Sequence, residues 1–130
     1  MFRIQKTMEI SCQHSLNLDY DSPCICDHGH NYKIKVGLVG NKLNRNGMLF
    51  DFAHIKKIVN RFDHASLNEL MEENPTAENM CFYFFEMINE ELERRYKDTD
   101  LDVRVEYVKI WETKDSWAQY IDKEAADDLN

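Results

Sequence analysis

A chain of 130 residues, 43% hydrophobic and 31% charged, is sized and composed for one soluble globular domain with a single core. Its formal net charge of −8 argues against nucleic acid or an anionic membrane as partner, and no run of about 18 apolar residues offers a membrane span. The opening Met1-Phe2-Arg3-Ile4-Gln5-Lys6 lacks the apolar block of a signal peptide, so the chain is expected in the cytoplasm with its four cysteines reduced.

Residues 2–14 alternate. Phe2, Ile4, Met8, Ile10 and Cys12 share the even register, interrupted only by Lys6, and His14 continues it. That period predicts a half-buried strand delivering His14 to the apolar face. Asn17 to Pro23 is a polar, turn-rich loop. From His28 the even register returns as His28, His30, Tyr32, Ile34, Val36 and Leu38, a second strand. Pairing the two antiparallel brings His14 towards His28 and His30. Asn41 to Gly47 is a turn cluster. Asp51 is an N-cap candidate, with Phe52, Ile55, Ile58, Val59 and Phe62 following at helical spacing. Asp63 to Asn74 reads as a loop with a helical turn at most.

Asn74 or Thr76 caps a long amphipathic helix whose apolar stripe is Cys81, Phe84, Phe85, Ile88, Leu92 and Tyr96. Glu90–Arg94 and Glu91–Arg95 are i,i+4 pairs on its wet side. A third strand alternates Leu101, Val103, Val105 and Tyr107, then slips to Val108 and Ile110, which implies a bulge or burial of both faces. Glu112 ends that strand. A short fourth strand spans Ser116 to Ile121, followed by a fraying acidic tail. The order β-β-α-α-β-β predicts an α+β domain over residues 1–121, two helices on one face of an antiparallel sheet, with residues 122–130 as tail.

Chemistry concentrates in Cys24-Ile25-Cys26-Asp27-His28-Gly29-His30-Asn31-Tyr32. Histidines at i and i+2 of a strand point the same way, and His14 can join them from the neighbouring strand. Three imidazoles leave a fourth position open on zinc, a catalytic arrangement. The competing site is a closed Cys24, Cys26, His28, His30 set. Its same-face side chains lie ~7 Å apart along a strand, so they wrap one ion only if the strand folds back. Cys12 and Cys81 sit on apolar stripes and read as small buried hydrophobes. Cys24 and Cys26 have polar flanks, and a thiol near zinc or imidazole can act as nucleophile or base. Asp63-His64 is either a polar turn or an acid beside a histidine put to use. Glu112 is either a surface residue past the core or a buried acid able to grip an amidine-like edge.

Together these pieces resemble the 6-pyruvoyl- and 6-carboxy-tetrahydropterin synthase family. They are the His14 strand end, Cys24-x-x-x-His28-Gly29-His30-Asn31-Tyr32, Gly47-Met48-x-x-Asp51-Phe52, Asp63-His64-x-x-Leu67-Asn68, Pro75-Thr76-Ala77-Glu78-Asn79 and Glu112-Thr113, in family order. The resemblance implies the tunnelling fold, in which subunits join their sheets into a barrel, usually as a hexamer of two trimers. It implies zinc on His14, His28 and His30, Cys24 as catalytic cysteine, and Asp63 and His64 as proton-relay partners from a neighbouring subunit. Glu112 and Thr76 become anchors for a pterin ring, with Glu78 beside them. The implied substrate is 7,8-dihydroneopterin triphosphate. The spacing from Cys24 to His28 resembles the 6-carboxy enzymes of queuosine (7-deazapurine) biosynthesis. The pyruvoyl-forming reaction and a non-catalytic, zinc-stabilised pterin-binding oligomer stay open as alternatives.

Overall fold

The computed structural model describes residues 1–127. Four strands form one antiparallel sheet in sequence order: β1 (Phe2–His14), β2 (His28–Gly40), β3 (Val103–Thr113) and β4 (Ser116–Ile121). Between β2 and β3 come α1 (Phe52–Asn60), the single turn α2 (Leu67–Leu70) and α3 (Ala77–Arg95); α4 (Lys123–Asp127) closes the described chain. β1 and β2 pair without a break from Phe2↔Gly40 to His14↔His28. Even positions therefore share one face across both strands, and Met8, Ile10, Cys12, Tyr32, Ile34, Val36 and Leu38 are buried there.

The helices cover that face. α3 repeats Ala77, Met80, Cys81, Phe84, Ile88 and Leu92 at three- and four-residue spacing, all buried, while α1 contributes Ile55, Ile58 and Val59. Each such large side chain is worth about 1.5–3 kcal/mol when fully buried, which is why this face is closed. Both helices start where a side chain satisfies a free N–H: Asp51 Oδ1 accepts from Ala53 N at 2.9 Å and Thr76 Oγ1 from Asn79 N at 3.1 Å. Thr76, rather than Asn74, is the cap.

The slipped register of β3 is a bulge. Gly37 pairs with Tyr107 and Leu38 with Val105, so Glu106 is the extra residue. Glu106 is nearly buried and accepts both bonds of the Arg3 guanidinium, at 2.7 and 3.2 Å.

Several expectations change. Phe52, assigned to the apolar stripe of α1, is 43% exposed because the stripe begins only at Ile55. Phe62 is buried but lies beyond the last turn of α1. Arg94 pairs with Glu91 rather than Glu90, since Glu91 accepts from both Arg94 and Arg95 at 2.6 Å. The tail expected to fray holds α4, whose Ala125 is fully buried; its last three positions, 128–130, lie outside the described residues.

Candidate metal and pterin site

The antiparallel register sets the site. His14 ends β1 directly opposite His28, and Cys12 opposite His30, so three imidazoles meet at one corner of the covered face. Their ring centroids are 4.5–5.1 Å apart, and one ligating atom from each lies within 4.8 Å of the others. Backbone carbonyls set the tautomers. His14 Nδ1 lies 2.7 Å from Pro75 O, and His28 Nδ1 lies 2.7 Å from Cys26 O. A carbonyl only accepts, so both Nδ1 atoms carry hydrogen and both Nε2 atoms present lone pairs. Those two Nε2 atoms are 2.9 Å apart. Two acceptors at that distance repel unless they share a cation, so the donor set fits a metal ion. Burial lowers the His30 pKa, with His14 and His28 adding to the effect and the Glu112 carboxylate opposing it; the neutral, ligating form is favoured.

No cysteine joins this cluster among the described residues. Cys26 is exposed and serves His28 through its carbonyl, which removes the physical basis for the closed Cys24, Cys26, His28, His30 set. Cys24 is half-buried in a 3-10 turn over Pro23–Ile25; its N–H donates to Ser22 Oγ and its carbonyl accepts from Leu16 N. Cys12 and Cys81 are buried, and burial pushes each thiol up to about 12. They are inert packing groups, as expected.

Glu112, near the end of β3, is half-buried, and its charge acts on both His30 and Tyr32. Thr76 is one residue from the carbonyl that orients His14. Glu78 is exposed on the first turn of α3, with no recorded bond to the trio.

Asp63 and His64 sit in the turn that follows α1. Asp63 Oδ1 accepts from Ser11 N at 2.8 Å, and His64 N donates to Ser11 O, so this turn is pinned to the β1 edge. His64 adopts φ 61°, and its ring is 81% exposed with Nε2 3.6 Å from Asp63 Oδ2. It faces a cavity of about 390 Å³ shared with Ser11, Cys12, Gln13, Gly29, His30 and Asn31. No hydrogen bond or ion pair joins Cys24 to Asp63 or His64 among the described residues.

Two asparagines take a role that the sequence did not reveal. Asn68 exchanges two bonds of 2.8 Å with the backbone of Ser15, and Asn74 does the same with Asn17 at 2.8 and 3.0 Å. They clamp the chain just after His14. In the sequence Asn68 stood in the family pattern and Asn74 as a cap candidate, and neither reading pointed to a clamp.

Known proteins resemble this chain in sequence and fold. The family model described as 6-pyruvoyl tetrahydropterin synthase matches residues 3–123. An Archaeoglobus fulgidus protein, provisionally named 6-carboxy-5,6,7,8-tetrahydropterin synthase, is 38% identical over 96 residues, 71% of this chain and 73% of that protein. The Bacillus subtilis 6-carboxy-5,6,7,8-tetrahydropterin synthase is 33% identical over 69 residues, covering 52% of this chain and 47% of that protein. A Pyrococcus furiosus dihydroneopterin monophosphate aldolase is 32% identical over 89 residues, 65% of this chain and 69% of that protein. Among solved structures, the 6-pyruvoyl tetrahydropterin synthase of Caenorhabditis elegans superposes with a TM-score of 0.68 at 26% identity, over 94% of this chain and 96% of that one.

Proposed function

The chain belongs to the 6-pyruvoyl tetrahydropterin synthase family and has its tunnelling fold, and on that premise we propose that it is a zinc-dependent lyase converting 7,8-dihydroneopterin triphosphate to 6-carboxy-5,6,7,8-tetrahydropterin. The observation that carries this reading is the facing pair of Nε2 atoms, 2.9 Å apart, within a trio of histidines. The names of the Archaeoglobus and Bacillus relatives favour the carboxy product.

His14, His28 and His30 would hold the ion. When bound, zinc supplies Lewis acidity towards the side-chain oxygens of the pterin, making the neighbouring C–H more acidic. The remaining work falls to the chain. Pro75 O and Cys26 O hold two imidazoles in their ligating tautomers. Glu112 accepts two parallel bonds from the 2-amino and ring N–H edge of the pterin, with Thr76 and Glu78 beside it. Cys24 Sγ moves a proton at the side-chain carbon. Asp63 and His64 relay protons from a neighbouring subunit, consistent with the lack of a bond between them and Cys24 among the described residues. Barrel closure by β1 and β4 of neighbouring chains, as a hexamer of two trimers, brings them together. The proposed synthase domain spans residues 1–121, and α4 buries Ala125 against it. The four free cysteines suit the reducing cytoplasm, and the product would feed 7-deazapurine (queuosine) synthesis.

The aldolase relative gives a second reading, retro-aldol shortening of the side chain to a hydroxymethyl group. Incubation of the zinc-loaded protein with 7,8-dihydroneopterin triphosphate, with products identified by mass, separates these. A 6-carboxy product is expected; a 6-pyruvoyl or 6-hydroxymethyl product replaces the proposal by the corresponding branch, and no turnover by a pterin-binding role.

A further inference from the structure

His14 is oriented from outside the sheet. The Nδ1 of His28 is held by Cys26 O, two residues away, whereas the Nδ1 of His14 reaches Pro75 O, 2.7 Å away and 61 residues along the chain. The Tyr32 hydroxyl also bonds the His14 ring, 3.1 Å from the same nitrogen, but it comes from β2, where strand pairing places it. Strand pairing does not place Pro75 O. Something else must.

The residue before Pro75 is bonded through both its side chain and its carbonyl. Asn74 Oδ1 accepts from Asn17 N at 2.8 Å and Asn74 Nδ2 donates to Asn17 O at 3.0 Å, a lock on the backbone three residues beyond His14. The Asn74 carbonyl accepts from Thr76 N and from Asn79 Nδ2, each at 2.8 Å. The first of these closes a three-residue turn centred on Pro75, whose ring fixes φ at about −65°, close to what such a turn requires. Thr76 caps α3, and Thr76 O accepts from Met80 N, so Pro75 O stands one residue outside the helix and is left to His14. A ring of contacts closes: along the chain from His14 to Asn17, across to Asn74, on to Pro75, and from its carbonyl back to His14. Asn68 offers a contrast. It makes the same pair of bonds, both 2.8 Å, to Ser15, nearer still to His14, and has no bond to the Asn74–Thr76 turn among the described residues.

We infer that Asn74 is a positioning residue for the metal site. By locking onto Asn17 it holds the Pro75 carbonyl on His14 Nδ1, which keeps His14 Nε2 turned towards His28 Nε2. The inference rests on the metal reading above. Thr76, assigned there to the pterin ring, belongs to the same turn, so one support serves a metal ligand and a pterin anchor.

Two readouts on the whole chain test this. Zinc affinity is measured by competition with a chromogenic chelator, and solvent exchange of the Nδ1 hydrogens of His14 and His28 by NMR of the zinc-loaded form. Asn74→Ala is expected to weaken zinc binding about 10–100-fold, the usual cost of losing a group that orients a ligand. The His14 Nδ1 hydrogen should exchange about ten-fold faster, the scale of one lost hydrogen bond, while that of His28, held by Cys26 O, stays within about two-fold. Asn68→Ala removes as many backbone bonds beside His14 and should leave both readouts within about two-fold. Asn74→Asp keeps the acceptor for Asn17 N and loses the donor to Asn17 O, so it should fall between Asn74→Ala and the unmodified protein. It carries the test if Asn74→Ala does not fold. Equal effects of Asn74→Ala and Asn68→Ala, equal effects on the two histidines, or no effect of either Asn74 variant would overturn the inference and leave Asn74 as a loop clamp. Failure of the unmodified protein to bind zinc is a separate result: it overturns the metal reading, and the His14 hydrogen in the zinc-free protein then decides whether Asn74 orients the ring.

Discussion

At the scale of single residues, the site is a problem in counting protons. Two carbonyls take the Nδ1 hydrogens of His14 and His28, and that alone turns the opposite nitrogens into a pair of facing lone pairs. Replacing His14 by alanine removes one ligand and frees Pro75 O. Elemental analysis should then find zinc lost, while Cys24→Ala and Cys26→Ala retain it. The thiols should differ from each other in rate. Cys24→Ala should lower turnover by about 10²–10⁴, the usual cost of removing a general base. Cys26→Ala should stay within about three-fold of the unmodified protein, because Cys26 serves His28 through its backbone. Exchanged phenotypes in a steady-state assay would move the functional thiol to Cys26.

At the scale of elements, β2 and β3 meet through one close approach and one bulge. A Cβ at Gly37 would run into the Tyr107 ring, which lies over that glycine beside the extra residue Glu106. Gly37→Ala should therefore cost about 1–3 kcal/mol in urea unfolding, as overpacked sites do. Adding Tyr107→Ala should recover part of it, whereas additive losses would mean that the contact is not the cause. On α3, hydrogen bonds from Arg94, offset in part by desolvation, and then from Arg95 lower the Glu91 carboxyl from 4.5 to about 2. A depressed carboxyl stabilises the fold above its unfolded pKa and loses that contribution as pH falls towards its folded one. Any advantage of the unmodified chain over Glu91→Gln should be full above about pH 5 and shrink between pH 4.5 and 2, as read by thermal melts across that range. It should be small and sensitive to salt, since the pair lies at the surface.

At the scale of the whole molecule, the sheet has two outer strands, β1 and β4, and the proposed relay pair is pinned to the β1 edge with no bond to Cys24 among the described residues. In the proposed assembly a neighbour would complete the site. Light scattering should return a mass that is a multiple of 15.5 kDa, six-fold for the proposed hexamer. Mixing inactive Cys24→Ala chains with inactive His64→Ala chains, after dissociation and reassembly, should restore part of the activity. No rescue from assemblies shown to have exchanged subunits would mean that each site is built within one chain.

The strands, the long helix and the histidine trio were all legible in the sequence, because period-two burial and the i, i+2 spacing are local properties of the chain. His14, His28 and His30 share one parity on two strands that pair without a break, so alternation alone aims them at the same corner. The register slip of β3 was visible too, read between Tyr107 and Val108, next to the extra residue Glu106 that the pairing shows. Other features depend on partners far away in the chain. Pro75 O reaching His14, the asparagine clamps on Ser15 and Asn17, and the exposure of Phe52 each follow from how the helices seat on the sheet. The tautomers of His14 and His28 were decided there too. A hydrogen-bond partner is a neighbour in space, and sequence periodicity specifies only which way a side chain points.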